Sequence, residues 1–345
     1  MMSQIRSKTA QVVVVTGASA GVGRATARRF ARAGTSVALI ARDAASLEEA
    51  RAEMEASSAR ALAIAADVAD AEAMLAAART VEEKLGPIDV WVNNAMTTVF
   101  APVRDMTAQE FRRVTEVTYL GYVHGTMAAL ACMRPRNRGV IIQVGSSLAY
   151  RGIPLQSAYC GAKHAIRGFT DSLRAELLHE HSGIALVMVQ LPAVNTPQFD
   201  WARTSLGHDP RPVPPVIQPE VAAEAIFSGA RRPRRELWVG FSTAKVILGS
   251  MAVPGFLDHY LAWTGYTAQE TGRRVRPGRR DNLVTPVSDL HRTRGSFGAE
   301  ASGSAPVISG ETVRLGLAAV AVGVIALGGW LAAANGRAGA ARRRR

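Results

Sequence analysis

The chain has 345 residues, with 48% hydrophobic and 20% charged side chains, a formal net charge of +13 and a pI near 10.7. That length buries a large core and exceeds a common domain size by about a hundred residues. Two cysteines, Cys132 and Cys160, exclude a disulfide framework and suit a reducing compartment. The charge is uneven: from Arg231 onward eighteen Lys and Arg stand against seven Asp and Glu, so +11 of the +13 lies in that part. Its basic residues have no interleaved aromatics and form no recognisable module, so nucleic acid is not expected as a partner. The histidines lack metal-ligand spacing, and no metal is expected.

In chain order, residues 11–15 are a β-branched, almost wholly apolar run that suits a strand buried on both faces of a parallel sheet. Thr16-Gly17-Ala18-Ser19-Ala20-Gly21-Val22-Gly23 follows, and then a helical stretch over 24–33. Gly17 makes the sharp turn out of the strand, while Gly21 and Gly23 let backbone approach a ligand. The free amides at that helix start suit a pyrophosphate. Thr16, Gly17, Ser19, Ala20, Gly21, Val22 and Gly23 are therefore candidate dinucleotide-binding residues. The second strand, 36–41, ends at Ala41, where an NAD-selective site would place a carboxylate, and Arg42 comes next. A guanidinium grips a 2′-phosphate bidentately, so NADP(H) is expected rather than NAD. Asp43 sits close by and could simply start the next helix.

Further strands are expected at 61–66, 88–93, 139–145, 184–190 and 236–239, separated by amphipathic or Ala-rich helical stretches. This alternation predicts an α/β fold with a doubly wound (Rossmann), mostly parallel sheet and helices on both faces. Gly17, Asp67, Asn94, Ser146 and Pro192 all follow predicted strands, so they converge on the edge where such sheets bind ligands. Tyr159 and Lys163 are four apart on a helix and share a face. A nearby ammonium favours a phenolate and pulls its pKa from about 10 towards the working range. Ser146, thirteen residues upstream of Tyr159, comes from a strand end and could hold a carbonyl oxygen.

With these motifs the chain resembles the classical short-chain dehydrogenase/reductase family over roughly residues 8–242. Thr16 to Gly23 matches the family's Thr-Gly-x-x-x-Gly-x-Gly turn. Asp67-Val68 matches its acidic pair against the adenine. Asn93-Asn94-Ala95 matches Asn-Asn-Ala-Gly, with Met96 in the last place. Pro192-Ala193-Val194-Asn195-Thr196 resembles the stretch beside the nicotinamide carboxamide, with Ala193 for Gly. The resemblance adds Asp67, Val68, Asn94, Ala95, Val194 and Thr196 to the cofactor set. It makes Ser146, Tyr159 and Lys163 catalytic, with Tyr159 as acid or base and Lys163 also holding the nicotinamide ribose. Thr118 stands where the family usually has an asparagine that supports a relay water; its hydroxyl has shorter reach and fewer hydrogen-bonding groups. The implied activity is NADP-dependent hydride transfer between the cofactor and a carbonyl or secondary alcohol. Thr118, Met96 and Ala193 instead favour a non-catalytic NADP-binding redox sensor or scaffold held at a membrane.

The expected organisation is a catalytic domain over 1–242, an apolar helical extension over 243–271, a mobile basic linker over 272–312 and a hydrophobic helix with an Arg-rich end over 313–345. The extension and the segment 199–219, with Trp201, point to a hydrophobic small-molecule substrate. Residues 315–334 carry no charge and as a helix would be about 30 Å long, the thickness of a bilayer core. The terminal arginines and the cofactor domain both belong on the cytoplasmic side, since no signal peptide is seen, and one span cannot satisfy both. Residues 315–345 are therefore expected to lie at the inner leaflet. The alternative is a soluble cytoplasmic protein with an oligomer-forming helix, and a homo-oligomer is expected.

Overall fold

A computed structural model describes residues 12–57, 59–320 and 322. The apolar runs form the central sheet: β1 (Val12–Thr16), β2 (Ser36–Ala41), β3 (Ala61–Ala65), β4 (Val90–Asn93), β5 (Gly139–Ser146), β6 (Ile184–Leu191) and β7 (Glu236–Val239). An eighth strand, β8 (Val307–Ser309), completes the order β8-β7-β6-β5-β4-β1-β2-β3. All neighbours pair parallel except β7 and β8, where Trp238 opposes Ile308 antiparallel. Side chains alternate between the sheet faces along each strand. Val13 and Val15 enter one core cluster with Leu39, Ile142 and Val189; Val12 and Val14 enter the other with Ile40, Trp91 and Ile141. Both faces are covered, which is why the strands read as unbroken apolar runs.

The helices are α1 (Gly21–Ala31), α2 (Ala44–Glu55), α3 (Ala71–Leu85), α4 (Ala108–Thr115), α5 (Gly121–Met133), α6 (Ser157–His179), the short α7 (Gln198–Trp201), α8 (Pro219–Arg231), α9 (Gly240–Ala252) and α10 (Pro254–Thr264). Helices α1 and α8 pack together, as do α3 and α5. The chain reverses its direction across the sheet between β1 and β4, and a crevice opens beyond their carboxyl ends. The helical stretch that carries Thr118 is divided into α4, a π turn at Glu116–Leu120 and α5. The wider turn includes Thr118, and such bulges occur often at functional sites.

Residues 272–312, expected as a mobile linker, are packed against the core. Glu270–Arg274 pairs antiparallel with His208–Pro210, residues 281–297 cross the crevice, and β8 joins the main sheet. Leu283, Val287 and Phe297 are buried. The Arg, Gly and Ser composition that suggests a linker does not register backbone carbonyls, and arginines elsewhere in the chain bind those carbonyls. Residues 310–320 begin a helix; residues 323–345, and with them most of the expected membrane segment, lie outside the described residues.

Candidate active site

One strand end and one helix build the catalytic group. Ser146 ends β5, and the backbone then turns through Ser147–Ala149, where the Leu148 N–H donates to the Ser146 hydroxyl at 3.1 Å. The helix α6 begins at Ser157 and carries Tyr159 and Lys163 on one face. The Ser146 hydroxyl lies close enough to the Tyr159 phenol to influence its acidity. Burial pushes the Tyr159 phenol well above its ordinary value, the neighbouring Cys160 adds to this, and the Ser146 hydroxyl works against it. A phenol in that state keeps its proton at neutral pH.

Lys163 sits almost wholly inside the protein, and burial lowers its ammonium to about 7. Its Nζ donates to the Val144 carbonyl at 2.8 Å and to the Tyr122 hydroxyl at 3.1 Å, and it lies 5.6 Å from the centre of the Tyr159 ring. The expected depression of the Tyr159 pKa by Lys163 is not seen in this arrangement, where burial sets the direction of the shift. Tyr122 is a site residue that the motifs do not reveal. Its hydroxyl donates to Val144 at 2.8 Å, so it holds Lys163 and β5 together. The available signal was its place four residues after Thr118, on the same helix face.

Thr118 is buried, and its hydroxyl is already committed. It donates to the Thr97 carbonyl at 2.8 Å and accepts from the Thr97 N–H at 3.0 Å. Those bonds fix the loop after β4, and no hydrogen bond links Thr118 to Tyr159 or Lys163. Cys160 is a buried thiol pushed up to about 11, which leaves it inert.

The cofactor candidates gather around one cavity. Gly17, Ser19, Ala20, Gly21 and Val22 form its floor at the start of α1, and Asp67, Val68, Asn94, Ala95 and Thr196 also line it. The glycines are required sterically. A Cβ on Gly23 would lie 2.1 Å from the Gly17 carbonyl oxygen, and one on Gly17 would lie 2.8 Å from the Ala95 Cα. Gly17 and Gly21 also have φ of 65° and 56°, values that favour glycine. Thr16 and Gly23 stand behind the floor. The Thr16 hydroxyl accepts from the N–H groups of Asn94 and Ala95, and the Asn94 side chain donates to the Thr16 carbonyl at 2.9 Å. Asn94 thus braces β1 against β4. Val194 lies in a two-residue strand and packs towards the core instead of lining the cavity.

Three candidates have protein partners. Asp67 pairs with Arg113 and accepts from the Ala69 N–H. Arg42 lines the cavity, but its guanidinium donates to the carbonyls of Asn282 at 2.5 Å, Val284 at 2.6 Å and Leu283 at 3.4 Å. Asp43 caps α2, accepting from the Ser46 N–H at 2.7 Å and the Ser288 hydroxyl at 2.5 Å. The residues fit a dinucleotide: a glycine cradle with no room for side chains at the start of a helix, and Arg24 and Arg42 nearby. His291 lines the same cavity, and its Nδ1 is buried without a partner.

The fold and this site define a class, nucleotide-binding oxidoreductases with a Ser-Tyr-Lys group beyond a doubly wound sheet. Residues 11–205 match the family model described as short chain dehydrogenase, and the chain belongs to the short-chain dehydrogenase/reductase family. It is 31% identical over 283 residues to an uncharacterised oxidoreductase, YxnA, of Bacillus subtilis, covering 81% of this chain and 80% of that one. Among solved structures, an alcohol dehydrogenase of the archaeon Thermococcus sibiricus complexed with 5-hydroxy-NADP superposes with a TM-score of 0.57 at 27% identity. That match covers 66% of this chain and 95% of the other. An NAD⁺-bound xylitol dehydrogenase gives 0.51 at 30% identity, covering 53% and 70%.

Proposed function

We propose that the protein is an NADP(H)-dependent oxidoreductase acting on a carbonyl or secondary alcohol of a hydrophobic substrate. The observation that carries this reading is the convergence of Ser146 at the end of β5 with Tyr159 and Lys163 on one face of α6, next to a glycine cradle. A bound nicotinamide supplies or accepts the hydride. Ser146 orients the substrate oxygen, and Tyr159 gives it a proton in reduction or takes one in oxidation. Lys163, held by Val144 and Tyr122, supplies the positive field behind Tyr159. Arg42 supports NADP(H), because no carboxylate occupies the end of β2 and Asp43 is engaged by Ser46 and Ser288.

Titration of the full chain with NADPH and NADH, followed by turnover with apolar ketones and aldehydes, tests the reading. Arg42→Ala should weaken NADPH binding about tenfold or more and leave NADH nearly unchanged, since only NADPH carries the 2′-phosphate; a charged hydrogen bond is worth about 1.5–3 kcal/mol. Equal weakening of both would make Arg42 an anchor for residues 282–284. Failure to bind either cofactor would overturn the function.

We also propose that one apolar edge of the protein meets a lipid surface. Val253, Phe256, Tyr260 and Trp263 share one face of α10, a helix with no buried residue, and Trp263 is 85% exposed. Leu315, Leu317, Val320 and Val322 are exposed on the helix that starts at 310. Helix α9, which leads directly into α10, and the helix from 310 are both tied to Tyr150, through Ser250 at 2.9 Å and Arg314 at 2.8 Å. Tyr and Trp suit a membrane interface, and the terminal arginines suit anionic headgroups. No described helix is long and apolar enough to cross a membrane. Full-length protein should sediment with phosphatidylcholine–phosphatidylserine vesicles, more weakly without phosphatidylserine, and Phe256→Ser with Trp263→Ser should reduce it further. Protein left in the supernatant with both vesicle types would exclude this contact.

A further inference from the structure

Residues 281–297 lie over the crevice as a strap, and they touch the groups that the sequence assigns to the cofactor. Asn282, Leu283 and Val284 present their carbonyls to Arg42. The Arg292 carbonyl accepts from the Gly21 N–H at the start of α1, at 3.0 Å. The Thr293 hydroxyl accepts from Arg28 at 3.0 Å, and Ser288 donates to Asp43. From the other side, the Asn282 N–H donates to the Trp201 carbonyl at 3.1 Å, and the Gly295 N–H donates to the Asn195 carbonyl at 3.1 Å. Leu283, Val287 and Phe297 are buried beneath it. The strap therefore joins the α1 start, the β2 end and the loop after β6, and lifting it would break every one of these contacts.

A cavity remains between strap and floor, and it is lined from above by Asn282, Pro286 and His291. His291 stands out there. Its ring rests against Trp201 with centroids 4.9 Å apart, and its own carbonyl accepts from Arg24 at 3.4 Å. Its Nδ1 is the exception to the bonding of the strap: it is buried and has no partner, in a residue that lines the cavity. A buried polar atom without a partner carries a desolvation cost that a ligand can remove. The imidazole can donate or accept through that nitrogen. Around it stand Arg24, Arg42 and Asp43, so the local chemistry suits a phosphate-bearing ribose.

We propose that the strap is the roof of the dinucleotide site and that His291 is a cofactor-binding residue, contacting the phosphorylated ribose of the adenosine end. This rests on the NADP(H) reading above. It assigns part of the cofactor site to a segment that follows β7, some two hundred and seventy residues after the glycine turn. Arg42 then has two neighbours of opposite character, strap carbonyls on one side and the ligand cavity on the other.

The test uses the full chain and measures binding, with turnover as a separate readout. Kd values for NADPH, NADH, 2′,5′-ADP and 5′-AMP are obtained by fluorescence and calorimetric titration for the wild type, His291→Ala and His291→Phe. Phenylalanine keeps a ring on Trp201 but removes the nitrogen. The expected result is about tenfold weaker NADPH and 2′,5′-ADP binding in both variants, since the fragment carries the adenosine end alone. Wild-type affinity in His291→Phe would show that the ring only packs and would overturn the contact. Limited trypsin digestion reports the strap, whose Arg292 and Arg294 are accessible, as is Arg280 just before it. Saturating NADPH should protect these sites; faster cleavage would mean that the cofactor displaces the strap and would overturn the roof. A wild type that binds none of the four ligands would instead refute the NADP(H) reading itself.

Discussion

Tyr159→Phe is expected to lower turnover of a confirmed substrate by at least about a hundredfold, the low end for general acid–base catalysis. The ring stays against the small cluster that holds Ala158 and Leu283, so the fold and NADPH affinity should change little. What disappears is the phenolic hydroxyl next to Ser146 and the proton it carries. Steady-state kinetics with NADPH titration on the same preparations separates the two quantities. Wild-type turnover in the variant would remove Tyr159 from the chemistry and leave the chain a nucleotide-binding protein without the assigned mechanism.

Gly23→Ala should act at the other end of the site and affect binding and stability together. The new methyl group would sit 2.1 Å from the Gly17 carbonyl oxygen and 2.7 Å from the Asn94 side-chain nitrogen. The carbonyl belongs to backbone that cannot step aside freely, because the Gly17 N–H is bonded to Ile40 at 2.8 Å. Overpacking of this kind costs about 1–3 kcal/mol, and the displaced turn should bind NADPH at least about tenfold more weakly. Gly168→Ala on α6 is the control, since nothing lies within 4 Å of its added methyl group. It should unfold no earlier than the wild type in denaturant, as alanine favours a helix by about 1 kcal/mol. An unperturbed affinity and stability in Gly23→Ala would show that the turn has slack the packing does not suggest.

Most of the sheet was legible because its strands are buried on both faces. Residues 36–41, 139–145, 184–190 and 236–239 read as apolar runs and fall within a residue of the observed strands. The short edge strand β8 was not legible: three residues give no period, and its pairing with β7 comes from tertiary placement. The glycine turn, Ser146, Tyr159 and Lys163 were legible because their chemistry fixes residue type and spacing. Tyr122 was hidden because a buried tyrosine on a helix reads as core. The strap was hidden for a different reason. Its bonds to Arg42 and Gly21 come from main-chain carbonyls, which every residue has, so composition cannot report them. Asp67 shows the opposite case, a residue found by its motif whose carboxylate is paired with Arg113.

The strap also ties the order of synthesis to the completion of the site. The Gly21 N–H meets the Arg292 carbonyl, and Arg28 meets Thr293, each across more than two hundred and sixty residues. A ribosome making about 5–20 residues per second would expose the glycine turn long before its cover exists. For that interval, Arg42 and the α1 start face solvent with neither carbonyl nor roof. The sheet is also unfinished, because β7 lacks β8 and presents an open edge able to recruit a stray strand. The nascent chain is thus most vulnerable to mispairing in its last hundred residues, and a cofactor captured early would be held by the floor alone until the strap emerges.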